Sequence, residues 1–418
     1  MNRPFVLLAA FLMGCGKLPV SPAAEAVVVD SAGVSIVTSH VPAWPTGGGW
    51  QVDSQPITVI GADDNDIQQQ WRWVESAARF SNGNVVVGVE GSLRVFGPDG
   101  KSIRLLSKAG DGPGEFQNLA ELLVLPGDSL RANDHMGRRI ATYAPDGALV
   151  RDVRIDMARF QALGHWTECQ NGLLPDGSRF GCQVDKTLAA TATNRPSVVD
   201  GEGMSSPGPG LYRGLRRVYV ATPDLSAAYP LGVDGGIEQF GVSVGKGEVF
   251  IVHPFHSRSF IAAGGEPMRI AIATNPEYRI ELWTPAGKLE RIIRREGGRR
   301  APTAAERAAA PAAMKRYLDR MDPATGSKVL AAVPTPDSLP AAVGLTVTPQ
   351  GEVLVQREGF LPSQVVSMWD VFDPSSRWLG EIRIPGRCRV VSVGIDHLLV
   401  QRFTADEGTL VEVYRLKR

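Results

Sequence analysis

Asn82-Gly83-Asn84-Val85-Val86-Val87 reads as a tight turn running into a buried strand, and the chain returns to that phrase five more times. The copies are Gly127-Asp128-Ser129-Leu130, Gly177-Ser178-Arg179-Phe180, Gly247-Glu248-Val249-Phe250-Ile251-Val252, Gly351-Glu352-Val353-Leu354-Val355 and Asp396-His397-Leu398-Leu399-Val400. Gly, Asn and Asp tolerate the positive φ of a hairpin turn. The β-branched and apolar run that follows suits a buried strand.

A second phrase, aromatic-x-Pro, keeps step: Phe96-Gly97-Pro98, Tyr143-Ala144-Pro145, Trp283-Thr284-Pro285 and Phe372-Asp373-Pro374. Ala221-Thr222-Pro223 keeps the proline alone, and Tyr414 the aromatic alone. Pro98-Asp99-Gly100, Pro145-Asp146-Gly147 and Pro285-Ala286-Gly287 continue into a second turn, preset by proline and closed by glycine. One early and one late hairpin per unit describe a four-stranded antiparallel blade. Six units describe an all-β chain, a single six-bladed β-propeller. The last unit supplies only three strands, 388–393, 397–403 and 409–416. The strand-like stretch 49–60 is therefore expected to serve as its fourth and close the ring. Residues 27–37 are expected to add to the same rim.

The 418 residues balance 44 Lys+Arg against 44 Asp+Glu, which gives no global field toward nucleic acid or acidic lipid. The N-terminus carries Arg3 and an apolar run, 5–13, too short to span a bilayer. That run ends in Leu12-Met13-Gly14-Cys15, which resembles the lipobox of bacterial lipoproteins. The resemblance implies a signal peptide over 1–14, a lipid on Cys15, a tether over 15–26 and a propeller over 27–418. It places the chain in the bacterial cell envelope, periplasmic or cell-surface. Export means an oxidising compartment. Cys169 and Cys182 lie almost symmetrically about the turn Pro175-Asp176-Gly177 and are expected to bridge across it. Cys388 is left as a buried thiol.

Val29-Asp30-Ser31-Ala32-Gly33-Val34-Ser35-Ile36-Val37, Trp50, Gly61 and Gly110-Asp111-Gly112-Pro113-Gly114-Glu115-Phe116 resemble bacterial six-bladed β-propeller envelope proteins of the NHL-like or TolB-like type. Asn133-Asp134-His135-Met136-Gly137-Arg138-Arg139-Ile140 with Tyr143 is similar to an NHL repeat core, as is Leu339-Pro340 leading to Leu345-Thr346-Val347. The resemblance covers essentially the whole mature chain and implies fold and location more than activity. Blade one, short across 90–94, and blade three, without its aromatic, depart from the family pattern.

Spacing between the phrases stretches in the third and fourth units, where the extra length is expected between strands two and three, and again between the fourth and fifth. It marks insertions at about 186–214, 253–277 and 300–339. Strands alternate in direction, so all three insertions project from one face, over adjacent units. Long loops on a rigid scaffold are where binding usually resides. The candidates for ligand or partner contact are His253, Phe255, His256 and Arg258. Thr303 and Glu306 form a capping box for a helix over 303–321. Its Met314, Tyr317, Leu318 and Met321 stripe is expected to pack on the propeller.

His253 and His256 lack the further ligands that a metal site needs. Glu75, Glu121 and Glu168, near the first strands of three units, could hold a hard cation such as Ca2+ if all faced the channel. Six-bladed lactonase-type hydrolases use a central cation in this manner, but strand alternation turns half of such residues away. The acidic run 63–66 lacks the glycine and terminal glutamate of an EF-hand loop, and 110–116 lacks the Lys-Ser/Thr of a phosphate loop. No catalytic residue and no cofactor are expected. Together these features describe a monomeric, lipid-anchored, non-catalytic binder of a protein or small-molecule ligand. The alternatives are a cation-dependent hydrolase or lyase with its site at the channel mouth, and a purely structural envelope protein.

Overall fold

A computed structural model describes residues 26–135, 137–164, 172–184, 199–200, 203–204, 209–245, 247–275, 277–319, 321–357, 366–404 and 408–418. These are mainly β, in consecutive antiparallel sheets of the kind a β-propeller repeats. The first sheet runs Val74–Arg79, Val85–Val89, Ser92–Phe96, Ser102–Ser107, and the second Leu119–Val124, Leu130–Asp134, Arg139–Tyr143, Leu149–Arg154. The third holds Arg179–Val184, Arg216–Ala221 and Ala228–Asp234, with Leu173 bridged to Arg179. The fourth runs Phe260–Gly264, Arg269–Ala273, Arg279–Trp283, Leu289–Arg295, and the fifth Gly344–Val347, Val353–Gln356, Val366–Phe372, Trp378–Pro385. In the sixth, Cys388–Val393, His397–Phe403 and Thr409–Lys417 are followed by Gln51–Val52 and Thr58–Ile60, both antiparallel to Thr409–Lys417.

The two repeated phrases touch. A Cβ at Gly83 would lie 3.5 Å from Pro98, one at Gly177 3.5 Å from Pro223, and one at Gly351 3.7 Å from Pro374. In these three sheets the proline of the late turn thus sits over the glycine of the early one. In the late turns Gly100, Gly147 and Gly287 adopt φ of +80°, +88° and +83°. Leu225 and Ser376 fill the equivalent place at +54° and +73°, a left-handed backbone that costs a side chain more than it costs glycine.

The core lies between sheets. Successive side chains of a strand point to opposite faces. Val85, Val87 and Val89 therefore pack with Leu399, Val411 and Val413 of the sixth sheet, while Val86 packs with Leu119, Leu122 and Leu130 of the second. Val353 and Val355 face the fourth sheet and Leu354 the sixth. Both faces of these strands are covered, which is why they read as unbroken apolar runs.

Three expectations need correction. The phrase at Gly247 belongs to no unit of the repeat. Gly247–Ile251 pairs with Gln239–Val244, which pairs with Gly210–Tyr212 in a separate three-stranded sheet. The fourth sheet turns instead at Gly265, φ +86°, so its extra length lies ahead of its first strand, not between its second and third. Residues 27–37 do not join the rim of the sixth sheet. Val34–Ser39 runs parallel to Leu289–Arg295 on the outer edge of the fourth, with Ala26–Ser31 outside it. The sixth sheet's edge is already taken by 51–60. Between these two anchorages Ala43 and Trp44 donate to the carbonyls of Trp378 and Leu379 at 3.0 and 2.7 Å, so 26–60 forms a belt across three sheets. The helix expected over 303–321 is present as Ala304–Leu318, and a second helix, Pro323–Ala332, follows it. The expected capping box is present: Thr303 N–H donates to Glu306 Oε2 at 2.8 Å, and Glu306 N–H to Thr303 Oγ1 at 3.2 Å. No described helix is long and apolar enough to cross a membrane.

Candidate functional site

The apolar stripe of the longer helix packs not on a sheet of the repeat but on the extra sheet. Met314 joins Val242, Ile251, Val329 and Val333 in one cluster, with Phe240, Val249, Leu318 and Met321 around it. Three excursions of the chain meet here. Gly210–Tyr212 leaves between two strands of the third sheet, 239–251 leaves between the third and fourth sheets, and 304–332 between the fourth and fifth. They build one cap with its own core, where the sequence suggested insertions at 186–214, 253–277 and 300–339 without contact between them.

Two polar side chains fasten the cap. Asn275, in the turn after Arg269–Ala273, donates from Nδ2 to the carbonyls of Arg258 and Ala342, both at 2.8 Å. Its Oδ1 accepts from Ala342 N–H at 3.0 Å. Arg213 is buried and donates to the carbonyls of Gly235, Asn275 and Thr274 at 3.2, 2.9 and 3.0 Å. Buried amides and guanidiniums used in this way satisfy carbonyls that no strand pairs.

The four binding candidates lie on the segment leading from the cap into the fourth sheet, and they divide. Phe255 is 1% exposed and packs with Ala310 and Leu339, locking the longer helix to this segment. His253 is buried beneath it, ring centroids 5.0 Å apart. Its Nδ1 accepts the Phe255 N–H at 3.0 Å, which assigns the neutral ring's proton to Nε2. Burial, and then His256, hold its pKa at about 4. His256 is only half-buried. Its Nδ1 donates to the His253 carbonyl at 2.7 Å, leaving Nε2 as an acceptor. Burial lowers its pKa, with Arg258 and Arg213 adding to the effect. Arg258 lies over the Phe260 ring at 5.1 Å, and its buried Nε finds no partner among the described residues. His256 and Arg258 are thus partly exposed, while His253 and Phe255 are buried.

Glu75 and Glu121 have a different use. Glu75 Oε2 accepts the N–H groups of Gly91 and Leu119, both at 3.2 Å, and Oε1 faces Asn118 Nδ2 at 3.4 Å. Glu121 Oε2 accepts the Leu173 N–H at 2.8 Å. Each carboxyl therefore clips the first strand of one sheet to the backbone of the next. Burial raises both pKa values, Glu121 to about 8, against the pull of those N–H groups and, for Glu121, of Arg389. Glu168 lies outside the described residues, among which no three acidic, His or Cys side chains are grouped to hold a metal. Cys15 and Cys169 also lie outside them. Cys182 is buried and disulfide-bonded. Cys388 is a free, buried thiol whose pKa burial pushes up to about 11.

No family model and no curated protein matches the chain. Solved structures it is similar to include a member of the DUF4221 family from Bacteroides vulgatus, at 9% identity over 88% of this chain and 99% of that one, TM-score 0.45. A gluconolactonase from Xanthomonas campestris shares 14% identity over 83% and 87%, TM-score 0.39. Virginiamycin B lyase from Staphylococcus aureus shares 12% over 88% of each chain, TM-score 0.34. Likeness at this level carries no argument about chemistry.

Proposed function

We propose that the six sheets form a closed six-bladed β-propeller of the bacterial cell envelope, lipid-anchored through Cys15, that binds a protein or small-molecule partner on its capped face without catalysing a reaction. The observation that carries this reading is the convergence of three excursions into one cap, 239–251 and 304–332 sharing an apolar core and Gly210–Tyr212 paired to its sheet. Ordering such long connections costs conformational entropy that a purely structural ring has no reason to bear. Closure is supported by the packing of the sixth sheet on the first and by the strands that 51–60 adds beside Thr409–Lys417. The anchor rests on Leu12-Met13-Gly14-Cys15, and the Cys169–Cys182 bridge on their spacing about a hairpin. A cation-dependent hydrolase needs several convergent free oxygens. Glu75 and Glu121 each commit oxygen to backbone donors, which favours the binder.

Site-specific photo-crosslinking in the envelope tests the assignment of the face. A crosslinker at exposed Lys328, on the cap, should trap a partner, and one at exposed Asn82, in an early turn on the opposite face, should not. Equal trapping from both positions, or from neither, would refute binding through the cap.

A further inference from the structure

A second feature lies on the capped face, at the first two sheets. A recess of about 230 Å³ opens between the crossover 110–116 and the turn that follows Asp134. Strand alternation places both on the same face as the cap. The described lining consists of Gly, Asp, Glu, Gln and Arg, with no apolar side chain. Two glycines line it, and a Cβ at Gly137 would press on the Asp134 carboxylate and one at Gly110 on that of Glu115.

The charges of the recess are unevenly used. Asp134 accepts the N–H groups of Gln117, Asn118 and Gly137 at 2.8, 3.1 and 2.9 Å. Glu115 accepts the Gly112 N–H at 3.0 Å and pairs with Lys108 at 3.3 Å. Asp111 accepts from Gln117 Nε2. Every carboxylate is therefore engaged by the protein's own donors. Of the guanidiniums, Arg139 is 5% exposed and spent on the loop, donating to the carbonyls of Asp111, Gly112 and Glu115 and pairing with Asp152. Arg138 and Arg154 are exposed, and their side chains form no hydrogen bond or ion pair with the described residues. Arg138 also holds φ +50°, a left-handed backbone in which glycine would be cheaper.

We propose that this recess binds a small hydroxylated organic anion, a sugar acid or sugar phosphate, with its charged group on Arg138 and Arg154 and its hydroxylated body against the polar lining. Two guanidiniums fit carboxylate and phosphate alike. A lining without apolar side chains disfavours an aliphatic or aromatic body. The site is independent of the cap, so either can fail without the other.

Calorimetric titration of the full chain with D-glucuronate, glucose 6-phosphate and uncharged glucose tests it. At least one anion should bind, more weakly as salt is raised, and glucose at least about tenfold more weakly. Which anion binds assigns the charged group. The pair Arg138→Gln and Arg154→Gln should weaken binding about tenfold or more at an unchanged melting temperature. Arg138→Gly, which relieves the backbone, should lose affinity while keeping or gaining stability. Crosslinking from Lys328 should be unaffected by any of these changes. Absence of binding by both anions, equal binding of glucose, or undiminished binding by the double variant would overturn the proposal.

Discussion

Replacing Glu121 by Gln should remove one limb of the protein's stability against pH. The carboxyl sits between the first strands of two sheets, takes the Leu173 N–H at 2.8 Å, and is pushed by burial from an ordinary 4.5 to about 8. Below the unfolded value both states hold the proton, and the neutral acid's contribution is fully present. As pH rises from there toward about 8 the unfolded chain releases its proton while the folded chain retains it, so stability falls. Above that value the folded protein bears a desolvated carboxylate. At about 1.4 kcal/mol per pH unit the limb is at most about 5 kcal/mol. Glu121 keeps partial solvent access, and the effective dielectric at such sites is well above that of dry protein, which reduces the figure to about 2 kcal/mol. Gln keeps an oxygen for the Leu173 N–H and does not titrate. Urea unfolding of both proteins from about pH 5 to about pH 9 should show the variant gaining about 2 kcal/mol on the wild type toward the alkaline end. Parallel curves over that span would mean that Glu121 ionises normally in the folded protein, and the clip would then be an ordinary carboxylate.

Phe255→Ala should cost about 3–5 kcal/mol locally and free the cap. Hydrogen exchange should quicken in 239–251 and 304–332 while the first and second sheets stay protected, and a uniform rise would count against a separate cap core. Glu75→Ala leaves the Gly91 and Leu119 N–H groups without their acceptor. The expected loss is about 1–3 kcal/mol, read from the unfolding midpoint, and no loss would remove the clip. Cys15→Ser should release the protein from the membrane fraction, and unchanged fractionation would rule out the lipid.

What the sequence disclosed was what is local. A glycine at positive φ followed by a buried strand announces itself within six residues, and the strands of the sixth sheet were readable almost to their ends. Leu225 and Ser376 hold the same turn position without glycine's signature, so nothing marked them. Gly247 misled for the converse reason. A cap hairpin and a propeller hairpin alternate alike, and only pairing with Gly210–Tyr212 tells them apart. Residues 26–39 carry strand character but no address, since any open sheet edge can receive a strand. Glu75 and Glu121 were visible as acids on first strands, yet their partners are backbone N–H groups, which all residues but proline possess. Arg138 and Arg154 are far apart in the chain and become neighbours only through the pairing of Arg139–Tyr143 with Leu149–Arg154.

The belt formed by 26–60 has a bearing on how the molecule is made. A ribosome delivers these residues long before Thr409–Lys417, so Thr58–Ile60 must wait for a strand made far later. A message cut short before that point yields a product with a raw edge and a stranded Ile60, conspicuous to proteases. Emergence of Thr409–Lys417 and burial of Ile60 are thus a single event, and an early strand stays unfinished business until a distant one arrives.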